Sequence, residues 1–210
     1  MRLGIFGGTF DPIHLGHLIL AETVREACRL DQVLFLPARI SPLKQQTAPT
    51  EARHRLEMVR LAIAGHPAFQ VDDLELRRSG PSYTVDTLRH LHAQRPDDEL
   101  FLMIGADSLA DLSRWREPRE LLDLAQLVVV NRGDTLPDLT AFEREFQRTT
   151  AGVVDVVNMP PVDISATELR ARAATGRSIR YRTPRAVEMY ILEHRLYRSD
   201  PVSMAAPAPE

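Results

Sequence analysis

The chain is nearly devoid of cysteine: Cys28 is the only one among 210 residues. A single thiol forms no internal disulfide and excludes a cysteine-rich zinc site, so a reducing compartment fits. Cys28 falls in a helical pattern and reads as a small buried filler. Tryptophan is as scarce, with Trp115 alone. No apolar run approaches the ~20 residues needed to cross a bilayer. No basic stretch followed by an apolar one opens the chain, so a cytoplasmic, membrane-free protein is expected. Neither sign of charge dominates: 26 Lys and Arg against 29 Asp and Glu give a net charge of −3. That offers no general pull toward nucleic acid or an anionic membrane, so an anionic substrate has to be met by local positive charge. No Gly-x-Gly-x-x-Gly follows the first strand, which disfavours a nicotinamide-dependent dehydrogenase.

What is present is a sizeable apolar fraction, 44%, enough for the core of one domain spanning 1–198. Residues 199–210 are Pro- and Ala-rich without periodicity and read as a disordered tail. Apolar runs predict strands at Leu3–Phe6, Gln32–Leu36, Phe69–Leu76, Leu100–Ile104, Leu127–Val130 and Val153–Val157. Helical patterns fall between them: Leu18–Leu30, Glu51–Gly65, Thr84–Gln94, Ser108–Ser113, Pro118–Leu124 and 138–147. Ser165 to Glu168 matches a capping box that opens another, and Pro184 is placed to begin the last, to about His194. Strands alternating with helices predict an α/β fold of Rossmann-like, doubly wound type: a mostly parallel sheet with helices on both faces. Ligands bind such sheets at the carboxyl ends of the strands.

Gly7-Gly8-Thr9-Phe10-Asp11-Pro12-Ile13-His14-Leu15-Gly16-His17 lies at such an end. A strand, a Gly-rich turn and a helix start form an anion cradle, because the first backbone N–H groups of a helix have no partner within it. His14 and His17, three apart, fall on one face of that start. Backbone donors and two imidazoles converging there point to the phosphates of a nucleotide. The long segment 38–50 after the second strand, with Pro42, Lys44 and Pro49, reads as a functional loop. Asp72, Asp73 and Glu75 lack metal-ligand spacing with histidine. Arg53-His54-Arg55 and Arg77-Arg78 read as solvated basic faces.

The Gly-Thr-Phe-Asp-Pro-x-His-x-Gly-His pattern resembles the nucleotidyltransferases related to class I aminoacyl-tRNA synthetases. Ile164-Ser165-Ala166-Thr167-Glu168-Leu169-Arg170 is similar to the second phosphate-binding motif of that superfamily. Two subfamilies compete, nicotinate-mononucleotide adenylyltransferases and pantetheine-phosphate adenylyltransferases. Ser82-Tyr83-Thr84-Val85-Asp86-Thr87-Leu88, Gly105-Ala106-Asp107-Ser108-Leu109 with Trp115 beyond it, and the length are similar to the former. A non-catalytic nucleotide-binding module on the same scaffold is a rival of another class; retention of both histidines and Arg170 argues against it.

The resemblance implies transfer of AMP from ATP to nicotinate mononucleotide, giving deamido-NAD and pyrophosphate in NAD biosynthesis. It implies catalytic roles for His14, His17, Lys44 and Arg170. ATP would be bound by Gly7, Gly8, Thr9, Phe10, His14, His17, Gly105, Asp107, Ile164, Ser165, Thr167 and Arg170. Nicotinate mononucleotide would be bound by Lys44, Tyr83, Thr84, Trp115 and Arg116, with Thr84 as N-cap of its helix. Mg²⁺ would be held mainly by the ATP phosphates, with no protein ligand, and a homo-oligomer is compatible with the pattern. The chain departs from the family at Leu43, where a histidine is usual, and at Arg116, where some members carry an aromatic residue.

Overall fold

The computed structural model describes residues 1–39, 49–132 and 136–198. Six strands form one sheet: β1 (Arg2–Gly8), β2 (Gln32–Pro37), β3 (Phe69–Val71), β4 (Glu99–Gly105), β5 (Gln126–Asn131) and β6 (Val154–Asn158). Their order is β3-β2-β1-β4-β5-β6, and every neighbouring pair is parallel. The chain runs outward from β1 to β3, then returns to lay β4 beside β1. This reversal makes β1 and β4 the switch point, where adjacent connections leave to opposite faces and open a crevice above the strand ends.

Each strand alternates its side chains between two apolar layers. Leu3, Ile5, Leu34, Leu36, Leu127 and Val129 enter one cluster, with residues of α4 (Thr84–Gln94), α5 (Ala106–Ala110), α6 (Pro118–Leu124) and α7 (Leu139–Phe146). Phe6, Val33, Phe35, Val128 and Val130 enter the other, with α1 (Leu15–Ala27), α2 (Ala52–Ile63), α8 (Ala166–Ala174) and α9 (Arg185–Glu193). Strands covered on both faces read as unbroken apolar runs in sequence. The expected doubly wound sheet is therefore the one observed, and it is parallel throughout.

The helix expected over Ser108–Ser113 divides into α5 and a 3₁₀ turn, Leu112–Arg114, and two further elements are displaced. The third strand stops at Val71, and α3 (Leu74–Arg77) follows it. The Asp72 carboxylate accepts the Leu74 N–H at 2.8 Å, a local turn that competes with extension of the strand. Helix α1 begins and ends three residues before its predicted limits. His14 is extended (ψ 170°) and serves as N-cap. At the other end Arg29 is left-handed (φ 51°), while Leu30 and Arg29 donate to the Arg25 and Glu26 carbonyls. These paired bonds form a Schellman stop, hidden in sequence because arginine holds the position glycine usually marks. Cys28 is the C-cap rather than a helix-interior residue, and burial pushes its thiol pKa up, which leaves it inert.

Gly4, in the middle of β1, leaves room for its neighbours. An added Cβ would lie 2.7 Å from Leu30 Cδ1 and 3.2 Å from Met103 Sδ. Gly4→Ala is predicted to lower unfolding free energy by about 1–3 kcal/mol through overpacking, read from the urea midpoint at unchanged m-value.

Candidate functional site

The Gly-rich turn leaves β1 at the switch point. Gly8 lies opposite Pro37 of β2, and its carbonyl accepts the Ala38 N–H at 2.8 Å. A Cβ on Gly8 would stand 2.9 Å from the Phe10 ring, whereas one on Gly7 would meet no protein atom within 4 Å. Gly8 is thus required by Phe10, and Gly7 keeps the approach to the turn open. Phe10 has a left-handed backbone (φ 49°), and its ring is buried against Phe6, Phe35 and His17. Its side chain belongs to the core, which leaves only its backbone to face a ligand.

His14 and His17 are N-cap and third residue of α1, with rings stacked 3.7 Å apart. The His14 N–H donates to His17 Nδ1 at 3.2 Å. A neutral His17 therefore carries its proton on Nε2. His14 is only 4% exposed. Burial, and then the charge of Arg132, lowers its pKa to about 4, so it is neutral at pH 7. Arg132 directly follows β5 and is exposed. It was not among the sequence candidates, although its place at a strand's carboxyl end was the available signal.

The second motif reaches the first across 159 residues: Arg170 donates to the Asp11 carbonyl at 2.8 Å and to Thr167 Oγ1 at 3.3 Å. Ser165 caps α8 by accepting the Glu168 N–H at 3.1 Å. The reciprocal half of a capping box is not made, because the Glu168 carboxylate faces Arg182 and Arg172. Ile164 packs on the core from its edge. Asp11 is buried, and its carboxylate accepts the Tyr197 hydroxyl at 2.7 Å and the Thr50 N–H at 3.1 Å.

Arg55 corrects the reading of residues 53–55 as a solvated face. It is 1% exposed and donates to the carbonyls of Thr50, Thr9, Ala38 and Arg39. Nothing in Arg-His-Arg separates a buried arginine from an exposed Arg53 and a half-buried His54; the signal was its spacing to Met58, Val59 and Ile63 on the buried face of α2. Arg78 is not solvated either, since it donates to Thr87 Oγ1 and the Asp86 carbonyl.

On the far side of the crevice, Gly105 ends β4 and caps α5, and the exposed Asp107 lies in the first turn of α5. The N-cap of α4 is Tyr83, so Thr84 is its first residue rather than its cap. Arg116 stacks its guanidinium 4.8 Å above the Tyr83 ring and lies 3.5 Å from the Asp86 carboxylate. Trp115 follows the 3₁₀ turn Leu112–Arg114 and packs, half-buried, against the apolar cluster on the α4 side of the sheet. Lys44 lies outside the described residues. Among the described residues no group of three or more His, Cys, Asp or Glu could hold a metal ion, and no helix is long and apolar enough to cross a membrane.

This arrangement of phosphate turn, stacked histidines and second-motif arginine at a switch point is that of a nucleotidyltransferase, and the chain belongs to the cytidylyltransferase-like family, which it matches over residues 5–172. Its relatives are narrower in name. A protein of Roseiflexus sp. (strain RS-1), named "Probable nicotinate-nucleotide adenylyltransferase", is 52% identical over 93% of this chain and 98% of its own. One of Thermus thermophilus, with the same name, is 48% identical over 94% of this chain and 100% of its own. Among solved structures, the nicotinic acid mononucleotide adenylyltransferase of Plasmodium falciparum, complexed with NaAD, superposes with a TM-score of 0.76. It is 21% identical and covers 93% of this chain and 97% of its own, which bears on the fold.

The depressed His14 pKa has a consequence for stability. Between its ordinary value near 6.5 and about 4, the unfolded chain binds a proton that the folded chain does not, so stability rises with pH across that window. It is fully present above pH 6.5 and falls on acidification toward pH 4, by at most ~3 kcal/mol from this group. Urea denaturation at pH 4.5 and 7.5 is predicted to show a smaller pH difference for His14→Asn than for the unaltered protein.

Proposed function

We propose that this protein transfers the adenylyl group of ATP to nicotinate mononucleotide, releasing pyrophosphate and forming deamido-NAD for NAD biosynthesis. The observation that supports the reading is the contact of Arg170 with the Asp11 carbonyl, by which the two motifs meet. An oxygen of the mononucleotide's phosphate attacks the α-phosphorus of ATP; that O–P bond forms as the bond to the pyrophosphate oxygen breaks. The attacking oxygen is already largely anionic, since a phosphate monoester's second pKa is about 6, so the reaction needs no general base. It needs in-line placement of two mutually repelling polyanions, and donors for the charge that grows on the α-phosphate and the leaving group.

The chain's residues divide that task. His17 Nε2–H and a neutral His14 donate to the α-phosphate region, beside the open approach at Gly7 and the backbone of Gly8 and Thr9. Arg170, with the start of α8 at Ser165 and Thr167, faces the β- and γ-phosphates, and Arg132 adds positive potential over the crevice. Lys44 neutralises phosphate charge from the loop after β2. Asp107, beyond Gly105, accepts ribose hydroxyls. The first N–H groups of α4, beyond Tyr83, receive the nicotinate carboxylate, with Arg116 beside them and Trp115 against the pyridine ring. ATP enters as its Mg²⁺ complex, the ion on phosphate oxygens and water, where it would further offset phosphate charge. Both Asp11 carboxylate oxygens are engaged within the protein, which fits an ion carried by the substrate. One domain over 1–198, acting in the cytoplasm on small nucleotides without nucleic acid, completes the reading.

The test is pyrophosphate release from MgATP with nicotinate mononucleotide, nicotinamide mononucleotide or pantetheine phosphate as acceptor. Release is expected with the first and far less with the others; no release with any acceptor rejects the reading. His17→Ala is expected to lower kcat about 100-fold or more, the scale of losing one transition-state donor, with the KM for ATP little changed. Trp115→Ala is expected to raise the KM for the mononucleotide about tenfold, equivalent to ~1.4 kcal/mol of lost stacking. Loss of folding in that variant would assign Trp115 to the core instead.

A further inference from the structure

Arg55 is a residue that the phosphate motifs do not include. Its guanidinium meets three separate chain segments: Nη1 donates to the Thr9 carbonyl at 2.8 Å and the Ala38 carbonyl at 2.7 Å, Nε to Thr50 at 2.8 Å and Nη2 to Arg39 at 3.4 Å. Thr9 belongs to the phosphate turn, Ala38 and Arg39 to the exit of β2, and Thr50 to the start of α2. In a planar trans peptide the carbonyl of one residue and the N–H of the next point to opposite sides. Drawing the Thr9 carbonyl toward Arg55 therefore turns the Phe10 N–H away from it. Drawing the Ala38 carbonyl likewise turns out the Arg39 N–H, which donates to Ser82 Oγ at 3.0 Å. Ser82 directly precedes Tyr83, the cap of α4. A single rigid fork thus spans the phosphate turn and, through one peptide and one hydroxyl, the start of α4.

We propose that Arg55 is a positioning residue for adenylyl transfer, one that fixes the spacing of the ATP half of the site against the acceptor half without touching either substrate. This rests on the crevice being the transfer site. A stabilising role alone does not call for a cation, because well-packed apolar residues commonly replace buried charges at no loss of stability. What an apolar residue cannot do is orient four carbonyls from three segments.

The experiment measures kcat and both KM values by pyrophosphate release for the unaltered protein, Arg55→Met and Arg55→Lys, with urea midpoints to establish folding. Folded variants are expected to lose kcat by ~10- to 100-fold, the scale of a small misplacement of reacting groups. Both KM values should hold within about threefold, and Lys, which can reach only part of the carbonyl set, should lose less than Met. Should Met fail to fold, the Lys variant decides. Folded variants with kcat within about twofold of the unaltered protein overturn the proposal, as does a loss confined to KM. Failure of both variants to fold makes Arg55 structural alone and also overturns it. An unaltered protein that releases no pyrophosphate rejects the transfer reading itself, together with this proposal.

Discussion

Asp11 is the point on which the site's geometry depends. It sits in the turn after β1, and its groups hold three other parts of the chain. The carbonyl accepts Arg170 from α8; one carboxylate oxygen accepts Tyr197 from beyond α9, and the other accepts the Thr50 N–H at the entrance to α2. The Tyr197 hydroxyl is pushed above its ordinary pKa by burial and by the neighbouring Asp11 charge, so it remains a donor across the physiological range. Arg55 donates to the Thr50 carbonyl. Thr50 is thereby held through both of its flanking peptides, its N–H by a carboxylate and its C=O by a guanidinium. Buried polar groups tolerate this concentration only when nearly all are satisfied, and here the satisfaction comes from four distant segments.

That dependence explains what was legible in the sequence and what was not. The sheet was readable because strands covered on both faces are unbroken apolar runs, as at Leu34–Leu36 or Leu127–Val130, and because turn residues separate them. The strand, turn and helix start over residues 7–17 were readable because their signals are local: two glycines after an apolar strand, and histidines at the spacing of a helix start. The second motif was readable as a helix start, but its contact with Asp11 was not, since no pattern in Ser165–Arg170 names a carbonyl 159 residues away. Arg55 and Tyr197 were missed for the same reason. Both are long polar side chains whose surroundings are supplied by segments distant in sequence, and local composition carries no trace of that. Element limits failed at the Asp72 turn, where a carboxylate ends the third strand, and at the left-handed Arg29, where the backbone ends α1.

Electrostatics brings these elements together. A chain with net charge −3 has no overall attraction for polyanions, so the crevice has to gather positive potential locally. Positive potential near it comes from the dipoles of the α1 and α8 starts and from arginines with different degrees of exposure. Arg132 is exposed at a strand end, Arg170 is half-buried against the turn, and Arg55 is buried beneath it. The depth of Arg55 keeps its charge from being screened by salt as a surface charge would be, and its bonds to carbonyls rather than to a carboxylate leave that charge only partly offset, by Asp11.

The same field sets the protonation of His14. Burial and Arg132 both oppose a second positive charge there, which is why the free protein holds the imidazole neutral. An anion beside any such imidazole would act in the opposite direction, favouring the charged form that burial and Arg132 oppose. In the free protein burial and Arg132 therefore act together, and His14 is held as a neutral imidazole with an N–H to donate rather than as a second buried positive charge.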